Sequence, residues 1–196
     1  VLLYHVERMN EESANALLKV MEEPPEGVLF LLTADSLASV LPTIRSRCVS
    51  FAVAPVSPAD CTRYCAAQGV DKKTAALYSE LFDGHIGTVL AVARDEARAA
   101  QVEKALELAR AAAARDSYTA AVLLAAYEKD KAAAASLLTD FRAVAAAGLR
   151  SSPRAPVQGT QARQAVRLAD AALQRLGAQV NPKVVLSVFA AKLRTL

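Results

Sequence analysis

Tryptophan is absent from the 196 residues, and aromatics make up only 5% of them. A chain so poor in flat rings is a weak candidate for holding single strands by base stacking. Cysteine is scarce as well. Cys48, Cys61 and Cys65 are an odd number and cannot all pair; reduced, partly buried thiols in a cytosolic protein are expected. Cys61 and Cys65 are four apart, on one face of a predicted helix. His5 and His85 lie far from them in sequence, so the spacing supplies no zinc ligand set. No uninterrupted run of 18 or more apolar residues occurs, which argues against a membrane span. No positively charged start leads into an apolar core and a cleavage site, so no secretory leader is read. The chain begins at Val1 rather than Met, and a piece of a longer protein is expected. A G-x-x-x-x-G-K-[ST] phosphate loop is also missing from these residues.

What is abundant is alanine and leucine. The chain is 54% hydrophobic, enough for a sizeable core, and its small, straight side chains favour helices. The net charge of +3 is unevenly spread. Residues 1–58 carry four basic and seven acidic groups, whereas residues 140–196 carry nine basic and two acidic ones. Such a basic end could meet nucleic acid or an acidic partner. The arginines are scattered, however, and a solvated helical surface is the simpler reading.

Residues 1–6, VLLYHV, predict a short buried strand. Asn10 caps a predicted helix over 11–22, with Ala14, Leu17, Leu18 and Met21 on its apolar face. Glu11 and Glu12 suit its first turn, and Pro24–Pro25 end it. Residues 28–33, VLFLLT, are apolar on both faces, as in a covered parallel strand. Strand, helix, strand over this length is a right-handed crossover. A helical stretch over 36–45, interrupted by Pro42, and a strand over 49–53 follow. Two or three strands make a poor free-standing sheet, so residues 1–54 are expected to be the C-terminal part of a larger α/β domain. Ser57 and Pro58 start a new helix. Helices are predicted at 58–68, 71–82 and 86–94, then two or three long Ala-rich ones over 95–150, a loop at 151–160, and helices at 161–177 and 182–195. The fold class is mainly α.

The stretch from Asn15 to Cys48, NALLKVMEEPPEGVLFLLTADSLASVLPTIRSRC, resembles the clamp-loader branch of the AAA+ ATPases. Asn15–Lys19 with Glu22–Pro25, the strand ending at Thr33, and Thr43–Cys48 carry the likeness. It implies a partial AAA+ nucleotide-binding-like domain over 1–54, a helical lid over 55–94 and a helical collar for oligomerisation over 95–196. It also implies that Arg47, within Ser46-Arg47-Cys48, is an arginine finger for a neighbouring subunit's ATP, with Ser46 and Cys48 positioning it. A planar, permanently charged guanidinium binds developing phosphoryl charge in a bidentate way. Arg45 lies outside the motif position. Thr33 matches the family's first sensor, here read as fixing local hydrogen bonds.

Against the family pattern, three departures stand out. Active members carry Asp-Glu where this chain has Tyr4-His5; tyrosine does not replace a hard carboxylate ligand for Mg²⁺, and His5 is read as structural. The second sensor's arginine is replaced by Gly87, after Gly84-His85-Ile86. The phosphate loop is absent. A finger beside a degenerate site is similar to the non-hydrolysing delta-prime type, which implies no cofactor bound in this chain, ATP and Mg²⁺ on neighbours, and any zinc module upstream of Val1. The implied partners are gamma/tau and delta subunits, with the sliding clamp and primer-template DNA reached through the complex, and no membrane. The alternatives are an ATP-hydrolysing gamma/tau-type subunit and a plain helical DNA-binding module.

Overall fold

The computed structural model describes residues 1–196, which divide into two compact units, Val1–Ala54 and Pro55–Leu196.

In the first unit, β1 (Leu2–Leu3) pairs in parallel with β2 (Leu31–Leu32), Leu2 opposite Leu31 and Leu3 opposite Leu32. Between them runs α1 (Glu11–Glu22), whose first turn is closed by the Asn10 side chain accepting from the Ser13 N–H at 2.8 Å. Side chains alternate across a sheet. Leu3 and Leu32 therefore face a core of Val6, Ala14, Val40 and Ile44, while Leu2 and Leu31 face outward. The strands are shorter than the apolar runs. His5 adopts a left-handed conformation, φ 55°, and turns the chain into a 3₁₀ turn at Val6–Arg8. Pro42 does not interrupt a helix but starts one, α2 (Pro42–Arg45), after a separate 3₁₀ turn at Leu37–Ser39. The strand expected over 49–53 does not form. Residues 49–56 make no backbone–backbone hydrogen bond, and Val49, Phe51 and Val53 are largely exposed. An extended run needs a neighbouring strand for its N–H and C=O groups, and none lies beside it.

The second unit is entirely helical: α3 (Pro58–Ala67), α4 (Lys72–Leu81), α5 (Ile86–Arg94), α6 (Glu96–Ala113), α7 (Ser117–Ala125), α8 (Lys131–Leu149), α9 (Gly159–Gly177) and α10 (Pro182–Leu193). Its helix starts are written locally. Ser57, Asp71, Asp95, Asp116, Asp130 and Asn181 each accept from backbone N–H groups of the turn they open. One continuous core joins Tyr78, Leu81, Val89 and Val92 to Leu106, Leu138, Phe141, Leu176 and Phe189. Phe141 and Phe189 meet edge to face at 5.4 Å. Glu80 ties α4 to the segment after α8, accepting from the Ser152 hydroxyl at 2.7 Å and from Arg154 Nε at 3.1 Å.

Helix α8 is long and apolar enough, by length and composition, to cross a membrane, a match that its dispersed polar residues hide from a search for unbroken apolar runs. Half of its apolar window is buried inside this unit, between α6 and α9. At its centre Asp140 is buried and ion-paired to Arg98 of α6. These are the features of a core helix.

A glycine lets α8 lie close against the segment that leads into α9. A Cβ at Gly148 would lie 1.9 Å from the Val157 carbonyl oxygen. Gly148→Ala should therefore destabilise the chain by about 1–3 kcal/mol, the usual cost of overpacking, and denaturant titration measures it.

Candidate functional site

Arg47 lies just past Ser46, the residue that closes α2, and its own N–H donates to the Ile44 carbonyl at 3.0 Å. Pro42 at the first helical position fixes where that short helix begins, and Ile44 pins it into the core. The side chain is about 35% exposed and stays at the surface of its unit. Its guanidinium is well held. Nε donates to Glu22 Oε1 at 2.7 Å, Nη2 donates to the same oxygen, and Nη1 donates to the Thr43 carbonyl at 3.0 Å and to Ser46 Oγ at 3.3 Å. Ser46 Oγ in turn donates to the Thr43 carbonyl at 3.0 Å. Cys48 is partly buried against the core of Val6, Ala14, Val40 and Ile44. Each member of the Ser-Arg-Cys stretch thus has a distinct place: the serine brackets the guanidinium, the arginine stands at the surface, and the cysteine anchors the turn. Arg45, the last residue of α2, makes no side-chain hydrogen bond or ion pair.

Thr33 sits just past β2. Its N–H donates to the Leu3 carbonyl at 2.9 Å, its carbonyl accepts from the Val6 N–H at 3.0 Å, and its hydroxyl accepts from the His5 N–H at 3.3 Å. It stitches the ends of the two strands together. Tyr4 and His5 stand at the exit of β1. Tyr4 is 69% exposed, and a phenol is a poor ligand for a hard cation such as Mg²⁺. His5 Nδ1 lies 3.0 Å from Glu7 Oε1 and 3.7 Å from Asp35 Oδ1. Glu7's own backbone N–H, with help from the His5 ring, holds its carboxyl below the usual carboxylate range. His5, Glu7 and Asp35 bring one ligand atom each within 4.8 Å of one another. Their grouping was not legible beforehand, because it depends on the left-handed turn at His5.

In the second unit, Gly87 is the second residue of α5 and is exposed. A Cβ there would meet nothing within 4 Å, so packing does not require a glycine. Cys61 and Cys65 lie within α3, their sulfurs 4.0 Å apart and fully buried. Burial, with the neighbouring Cys61 adding to it, pushes the Cys65 thiol up to about 11, so it stays protonated at neutral pH and is a poor nucleophile.

Sequence reasoning missed Glu22 as the partner of Arg47. The only prior signal was its place in the Glu22–Pro25 block; 25 residues separate the two.

Residues 1–57 match the family described as DNA polymerase III, delta subunit. The chain is 45% identical over 64 residues to DNA polymerase III subunit delta' of Yersinia pestis, an alignment covering 33% of this chain and 19% of that protein. It is 56% identical over 48 residues to subunit delta' of Haemophilus influenzae, covering 24% and 15%. It is also 39% identical over 59 residues to DNA polymerase III subunit gamma of Buchnera aphidicola, covering 30% and 16%. In each case the chain spans less than a fifth of the relative's length.

Proposed function

We propose, from the delta-prime-type clamp-loader subunit that the family match and these relatives support, that this chain is a non-hydrolysing member of a DNA polymerase III clamp loader and lends Arg47 to the ATP of a neighbouring subunit. One observation carries the reading. A surface guanidinium in the finger motif coexists, in the same small α/β unit, with Tyr4 and His5 where a hydrolysing site needs two carboxylates. The first feature acts on another subunit's phosphate; the second leaves positions 4 and 5 without the two carboxylates that a hydrolysing site of this family uses. Gly87, with open space around it and no charge to offer a phosphate, points the same way.

In this reading, residues 1–54 are part of an AAA+-like domain, 55–94 are the lid and 95–196 are the collar through which the subunit assembles with gamma/tau and delta. The sliding clamp and primer-template DNA are then reached through the complex. ATP and Mg²⁺ stay on the neighbours, and the place of work is the cytoplasm.

The test uses the full-length protein. Alone, it should neither bind nor turn over Mg-ATP in equilibrium dialysis and phosphate-release assays. Added to the hydrolysing subunits, it should raise their ATPase rate. Tight ATP binding with turnover by the isolated protein would favour the gamma/tau-type alternative instead.

A further inference from the structure

A guanidinium has five N–H donors on three nitrogens, and all three nitrogens of Arg47 are engaged within its own chain. The Nε–Nη2 edge, the fork that would grip a phosphate with two parallel hydrogen bonds, is taken by Glu22 Oε1. Nη1 is turned to the Thr43 carbonyl and Ser46 Oγ. In this arrangement Arg47 cannot offer a free edge to an outside phosphate.

We infer that Glu22 is a gate on the finger: it parks Arg47 in the resting subunit and releases it only when a neighbour's triphosphate is offered. The inference rests on the finger role proposed above.

Two features of Glu22 favour a gate over a structural strut. It lies in the last turn of α1, where the helix dipole disfavours a carboxylate, so helix stability does not account for it. Its side chain is half exposed, and a single exposed pair of this kind is weak enough to exchange. A terminal phosphate presents more negative charge and more acceptor oxygens than one carboxylate, so it can take the fork over. Thr43 and Ser46 hold the other edge, keeping the side chain near the rim while its partner changes.

The experiment is a reconstituted clamp loader carrying the full-length protein with Glu22→Gln, Arg47→Ala, or both. Glu22→Gln keeps the side-chain size and removes the charge. It should raise the ATPase rate measured without clamp and DNA by about two- to fivefold, because the competent finger population rises as an exposed pair is lost. The fully stimulated rate should change little. In the double variant the rise should vanish, since Glu22 acts only through Arg47. Glu22→Ala should behave like Glu22→Gln, and melting curves of both should overlay the unaltered protein. If Arg47→Ala slows the loader while Glu22→Gln leaves the unstimulated rate at or below its original value, the gate is overturned and the finger stands. If Arg47→Ala changes no rate, the finger reading falls and the gate falls with it.

Discussion

In the proposed finger role, replacing Arg47 by alanine should slow hydrolysis at a neighbouring subunit's ATP site by on the order of 10³-fold or more, the range over which arginine fingers contribute. Steady-state ATPase of the whole loader should fall only by that site's share, so single-turnover measurement is the sharper probe. The chain itself should remain folded. Arg47 is a third exposed and Glu22 half exposed, and exposed ion pairs contribute less than about 1 kcal/mol. A melting curve close to that of the unaltered protein, beside a collapsed turnover, separates a chemical role from a structural one. Arg47→Lys refines the test. Lysine keeps the charge but has no planar fork, so it should recover little of the lost rate. Full activity of the alanine variant would remove the finger role.

The second large effect concerns stability. Asp140 lies in the middle of α8, 2% exposed, and both of its oxygens accept from the Arg98 guanidinium on α6, Oδ1 at 2.5 Å. The Asp140 hydrogen bond, aided by its negative charge, pushes the Arg98 guanidinium above its ordinary value, as a well-formed pair does. Arg98→Ala leaves a carboxylate inside an apolar bundle and should cost about 3–5 kcal/mol. Asp140→Ala should cost less, because the Arg98 side chain is about 30% exposed and can turn its charge towards water. Replacing both together with apolar residues of similar volume should restore most of the loss, since desolvating the ions offsets much of their attraction. Urea titrations of the three variants measure this. Equal losses in both single variants, with no recovery in the double, would mean that packing and not charge dominates the contact.

How much could be read beforehand depended on distance along the chain. Helix starts were legible because a cap satisfies N–H groups two or three residues away. Asn10 and Ser57 are legible that way, and each side chain accepts from its own first turn. The parallel pairing of 1–6 with 28–33 was legible from two apolar runs flanking one helix. The length of those strands was not, because a left-handed His5 ends the first. The run at 49–53 misled for a related reason. Its composition suits a strand, but a strand exists only beside another, and none lies alongside. For the candidate site, the identities of Ser46, Arg47, Cys48, Tyr4, His5, Thr33 and Gly87 were all visible in the sequence. Their partners were not.

The order of amino acids alone thus settled which side chains are present and where helices begin, since both follow from residue type and from contacts within a turn. It also supplied the Ser-Arg-Cys stretch and the Tyr4-His5 pair. That Glu22 occupies the fork of Arg47, that Asp140 rests on Arg98 and that Gly148 meets the Val157 carbonyl came from the folded chain. Each joins groups separated by 9 to 42 residues. Their meeting is fixed by how helices pack around a shared core, an outcome of the whole set of apolar contacts that no local pattern encodes.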